Sequence, residues 1–149
     1  MRTLLAMKVI GTVVIAATLV ACSGRYEKVP EGDVDAAQKA AAQRLATTIY
    51  EGCRTGVHAP LGADEAIPEM REALTPAKLA ATCASIKGQF GEYQSLDYAE
   101  TWRPGSGGLR VFRFRGHFAS TQDTPEIRVV MDGQKLSGFW LKPWSDALR

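Results

Sequence analysis

Two histidines and three cysteines are all that these 149 residues offer as nitrogen or sulfur ligands for a metal. His58 and His117 lie far apart, and no ligand pair has the short spacing of a zinc site. No resident metal or cofactor is expected. Charge of one sign is lacking too. The formal charge is +2, but Arg2 and Lys8 fall in an N-terminal apolar leader. Beyond residue 21, 16 basic side chains face 16 acidic ones. That balance gives no global attraction to nucleic acid. A long apolar run is also missing. The leader's run, residues 9–20, has twelve residues, or about 18 Å of helix against a hydrocarbon core of roughly 30 Å. It is too short to span. The glycine-rich stretch 105–108 lacks the lysine-hydroxyl ending of a phosphate loop and reads as a turn. There is no internal repeat and no low-complexity tract.

What the leader does have is a positively charged start, a short apolar core, and the sequence Leu19-Val20-Ala21-Cys22-Ser23-Gly24. This is the pattern of a signal peptide covering residues 1–21. Leu19-Val20-Ala21-Cys22 resembles the lipobox of bacterial lipoproteins. The resemblance implies that Cys22 receives a diacylglycerol on its thiol, becomes the first residue of the mature chain, and takes a further acyl chain, such as palmitate, on its amine. A thiol is the strongest side-chain nucleophile near neutral pH. Two or more acyl chains, at about 0.8 kcal/mol per buried CH₂, give stable anchoring where one does not. Ser23 rather than aspartate after the cysteine resembles the sorting signal of outer-membrane lipoproteins. The expected address is a membrane lipid anchor facing the periplasm. Residues 22–32 are polar, contain Gly24, Pro30 and Gly32, and show no periodicity, so they read as a flexible tether. Residues 33–149 form the domain.

Lipidation of Cys22 leaves Cys53 and Cys83. In an oxidising compartment such a pair usually forms a disulfide. The alternative is two separate buried thiols, and the place of Cys83 on an apolar helical stripe suits that reading.

The domain begins with helical signals. Residues 34–52 are alanine-rich, with Ala37, Ala41, Leu45 and Ile49 on one face, Asp33 as N-cap and Gly52 as stop. A short helix follows within 63–74, starting near Ile67 because of Pro68. Thr75-Pro76 opens a third helix, with the hydroxyl as cap and proline at the first helical position. Its buried stripe is Leu79, Cys83, Ile86 and Phe90. After Gly91 the period falls to two. Strands are expected at 94–103, 109–118, 127–131 and 134–144, with Asp132-Gly133 as a hairpin turn. Helices followed by an antiparallel meander make an α+β fold, with N-terminal helices packed on a curved four-stranded antiparallel sheet.

The second half carries a further resemblance. Gly88-Gln89-Phe90-Gly91 leads into strands that finish with the aliphatic run from Val129, an Asp132-Gly133 turn, and Gly138-Phe139 running to Pro143. This is similar to small exported domains of the NTF2-like and cystatin-like type, especially the DUF3887 group. The resemblance implies a cone, a helix wrapped by a bent sheet, and a scaffold that hosts binders, dimerisation modules and enzymes alike. Homodimerisation through the sheet is one expectation of that type. A small pocket enzyme of the ketosteroid-isomerase-like kind is the alternative to a binding module, and no catalytic acid of such enzymes matches a position here.

Three groups could carry chemistry. Asp97 and Glu100, by the two-residue strand period, fall on opposite faces and cannot form a carboxylate pair. Arg113, Arg115 and His117 share one face, as an anion site or a base, or else as the wet side of a half-covered sheet. The strands hold Trp102, Trp140, Trp144, Phe112, Phe114, Phe118 and Phe139, most of them as core. The expected function is non-enzymatic binding of a ligand or partner protein by a membrane-tethered domain.

Overall fold

The structure, a computed structural model, describes residues 25–105 and 107–148. The leader, Cys22 and Ser23 therefore lie outside the described residues. The elements are β1 (Tyr26–Val29), α1 (Ala36–Thr55), α2 (Pro68–Ala73), α3 (Pro76–Phe90), β2 (Tyr93–Pro104), β3 (Leu109–Phe118), β4 (Glu126–Asp132) and β5 (Lys135–Lys142). The class is α+β, as the periodicities imply.

The sheet has five strands rather than four, in the order β1-β2-β3-β4-β5, each antiparallel to its neighbour. The extra strand comes from the segment read as tether. Tyr26 pairs with Pro104 and Val29 with Thr101. Four residues show no legible period. Their structure is set by the free edge of β2, by burial of Val29, and by an Arg103–Glu27 ion pair at 2.9 Å. A 3-10 turn over Glu31–Asp33 then delays α1, so Asp35 rather than Asp33 caps it, accepting from Gln38 N at 2.8 Å. The helix continues past Gly52 to end at Gly56.

Helix α1 lies on one face of the sheet. Its buried positions include Ala41, Ala42, Leu45, Ala46, Ile49 and Tyr50, two adjacent rows, and Ala37 is exposed. Ala42 and Ala46 are fully covered, so the backbone of α1 comes close to the strands. Tyr50 stacks on Tyr93 at 5.2 Å and meets Phe118 edge-on at 5.9 Å. Phe112, Phe114, Ile127, Val129, Met131 and Leu136 complete this core. The inner face is thus filled by the chain's own helix.

The helix α3 starts at Pro76 with Thr75 as cap, as expected. A disulfide joins Cys53 on α1 to Cys83 on α3, with Cα atoms 5.0 Å apart. The outer edge of β5 is partly covered: Leu136 N donates to Glu65 O at 2.8 Å and Ile67 N to Leu136 O at 3.0 Å. Covering an edge in this way blocks strand addition. The β4–β5 turn places Gly133 at φ +58 with no positive φ at Gln134, the arrangement in which a two-residue hairpin turn needs glycine first.

Among the described residues no helix is long and apolar enough to cross a membrane.

Candidate functional site

The sheet face turned away from the helices carries most of the polar chemistry. One irregularity decides its layout. The β2–β3 register shifts between Tyr98 and Glu100, so that Asp97 pairs with Arg115 and Glu100 with Arg113. A bulge at Ala99 adds one residue and resets the alternation. Asp97 and Glu100 therefore share the outer face, contrary to the expectation from strict two-residue spacing.

The outcome is a chain of ion pairs across four strands. Lys28 of β1 lies 2.8 Å from Glu100 of β2. Glu100 also bonds Arg113 of β3. Arg113 donates through Nη2 to Glu126 of β4 at 2.8 Å. Arg128 donates through Nε to the other Glu126 oxygen at 2.5 Å. Arg113 and Glu126 are both 0% exposed. Burial raises the pKa of Glu126, but its hydrogen bonds and charge contacts with Arg113 and Arg128 outweigh this and hold it below the ordinary carboxylate value. Glu100 is likewise held low, against burial, by Lys28 and Arg113. Lys28 is raised in turn by its bond to Glu100. These carboxylates stay ionised and are satisfied by cations.

The C-terminal tail seals this network. Arg113 also donates to the carbonyl of Ser145. The Trp144 ring lies over two guanidinium groups, 4.1 Å from that of Arg113 and 3.7 Å from that of Arg115. Such stacking is favourable because the ring face is electron-rich. The reading of this face as the wet side of a half-covered sheet is therefore corrected at Arg113, while it holds at His117. The strand residues alternate as expected, but the tail folds back and buries Arg113.

The three residues expected to act together are separated by this arrangement. Arg113 is sealed and cannot reach a ligand. Arg115 lines a cleft of about 420 Å³ between the end of α3, the β3–β4 loop and the tail. His117 lies beyond it, with Nε2 2.7 Å from Asp97 Oδ2, and the Asp97 side chain is 73% exposed. Ser95 pairs with His117 in register, so serine, histidine and aspartate occur together. No hydrogen bond joins Ser95 to the imidazole among the described residues, and the pair stands in solvent. A nucleophile activated by histidine requires that bond.

The aromatic set divides by face. Phe112, Phe114 and Phe118 are core, with Phe139 packed against it. The three tryptophans all belong to the other side. Trp140 is 51% exposed, and its ring lies so close to Gly138 that a Cβ there would clash with it. Among the described residues no group of three His, Cys, Asp or Glu side chains is placed to hold a metal. The cleft and the tail contact were not legible in the sequence. The only signal was an aromatic, Trp144, directly after the last strand on a chain whose third strand alternates arginine outward.

No protein-family model, no curated protein and no solved structure matches the chain.

Proposed function

We propose that the chain is a lipoprotein, anchored through Cys22 in the membrane, facing the periplasm and directed to the outer membrane. Its domain, an NTF2-like or cystatin-like cone, binds a ligand or partner protein through the outer face of its sheet and catalyses no reaction. The observation that carries the binding half is the contrast between the two faces. The inner face is filled by α1, whereas the outer face presents the exposed Trp140 indole beside a network of ion pairs that ties neighbouring strands together. Large amphipathic side chains held on a rigid surface are the usual anchors of recognition. The lipobox supports the address, and the Cys53–Cys83 disulfide suits an oxidising compartment. A ketosteroid-isomerase-like enzyme would need a poised acid or base in a dry cavity. Glu126 is dry but ionised and neutralised, and His117 is wet.

Two measurements test this reading. Mass spectrometry of the membrane-extracted protein is expected to find a chain beginning at Cys22 with acyl mass on its first residue; a chain starting at Met1, or an unmodified thiol, overturns the anchor. A photo-crosslinking residue placed at position 140 is expected to label a bound species in cells far more than one at Val57, which is 74% exposed in the loop after α1. Equal labelling at both positions overturns the binding face.

A further inference from the structure

We infer that the cleft beside Arg115 binds a small organic monocarboxylate with a flat apolar body. This deepens the reading of the outer face as a binding surface and rests on it. Arg115 has an acid opposite it on each neighbouring strand, Asp97 on β2 and Glu126 on β4. Both are already engaged: Asp97 holds His117, and the two Glu126 oxygens hold Arg113 and Arg128. Arg115 makes no ion pair with a described residue. Its hydrogen bond within the chain is a long one, from Nη1 to Thr124 Oγ1 at 3.3 Å. Trp144 covers one face of the guanidinium, which leaves the in-plane N–H groups, the ones that grip a carboxylate with two parallel bonds.

The surroundings suit the rest of such a molecule. Phe90, Pro125, Pro143 and Trp144 supply apolar walls to a space of about 420 Å³, within the range of small-ligand sites. Thr121 and Thr124 line the same cleft. The Thr121 hydroxyl oxygen accepts from Asp123 N at 3.1 Å, and that of Thr124 accepts from Arg115. Each therefore keeps its own proton to donate. Asp123 is also in the lining, and its carboxylate opposes a second negative charge. The site thus favours one charge over two, and a carboxylate over a phosphate dianion.

The test is calorimetric titration of the full-length protein in a neutral detergent with phenylacetate, its uncharged isostere phenylacetamide, acetate and inorganic phosphate. Phenylacetate is expected to bind at least about tenfold more tightly than the other three. Arg115→Gln should weaken it by about tenfold or more, and Asp123→Asn should strengthen it several-fold. The gain in Asp123→Asn cannot come from misfolding, and it keeps the inference falsifiable if Arg115→Gln does not fold. No binding of phenylacetate at millimolar concentration, equal binding of acid and amide, or an unchanged affinity in Asp123→Asn overturns the inference. Selective cross-linking from position 140 together with failure of phenylacetate would overturn the ligand class alone and leave the binding face standing.

Discussion

Arg113 and Glu126 meet at 2.8 Å on neighbouring strands with neither side chain exposed. Both lie on the face opposite the main apolar core, under a tail held by Trp144 and Ser145. A buried pair of this kind gains little over a well-packed apolar pair, yet breaking it from one side leaves a charge without compensation. Glu126→Ala should therefore cost about 3–5 kcal/mol, measured by urea denaturation of the full chain. The double replacement Arg113→Met with Glu126→Leu should recover much of that loss. A cost below about 1 kcal/mol for the single change would show that the network is not a stability element.

The same network sets the acid limit of the fold. Glu126 and Glu100 are both held below their ordinary value of 4.5 in the folded protein. Below that value the unfolded chain takes up protons that the folded chain resists. A group with a depressed folded pKa contributes stability above its unfolded pKa and loses it as pH falls through the folded one. The melting temperature should be flat from pH 7 to about 5 as far as these groups are concerned, and should fall below pH 4.5. Glu100→Gln should shallow that fall, as seen in melts taken at half-unit steps. An equally steep fall in that variant would place the acid sensitivity elsewhere.

The elements that could be read in advance are those written in local spacing. Thr75-Pro76 is a helix start whatever surrounds it, and the alternation of Phe112, Phe114 and Phe118 against Arg113 and Arg115 fixes which side of β3 is core. Asp132-Gly133 marks the turn to within one residue, the loop itself being Gly133-Gln134. The errors fall where pairing partners decide. The bulge at Ala99 changes the face of Glu100, and only the register against β3 reveals it. Tyr26–Val29 becomes a strand because β2 offers an edge. Trp144 finds Arg115 across a tail with no periodicity. Arg113, Arg115 and His117 do share a face, but what seals the first and leaves the second lining a cleft is a segment about thirty residues away in sequence. The compartment implied by the leader favours a disulfide between Cys53 and Cys83 over two separate thiols. The facing positions of Cys53 and Cys83 on α1 and α3 decide for the disulfide.

That disulfide closes a loop of 30 residues containing α2 and the whole connection from Gly56 to Ile67. In the chain-entropy treatment a loop of this length is worth about 3–4 kcal/mol. Cys53→Ser with Cys83→Ser should lower the unfolding free energy by about that amount, and a reductant should lower it in the parent protein but not in the double variant. A reductant effect of equal size in both would mean that the bond is not what the reductant acts on.

Gly138 offers the sharpest probe of the open face. A Cβ at this position would come within 2.3 Å of the Trp140 indole and 3.3 Å of Val130 Cβ. The ring is the far end of a side chain that is already half in solvent, so it can swing away, and the backbone need not shift. Gly138→Ala should therefore cost only about 1 kcal/mol, the low end of overpacking. It should also move the tryptophan emission to longer wavelength as the indole leaves the sheet. If the outer face binds through this ring, the same substitution should weaken cross-linking from neighbouring outer-face positions while the melting temperature scarcely changes. A large loss of stability with unshifted emission would mean that the backbone had moved instead, and the indole would then be a packing element of the sheet, unsuited to receiving a partner.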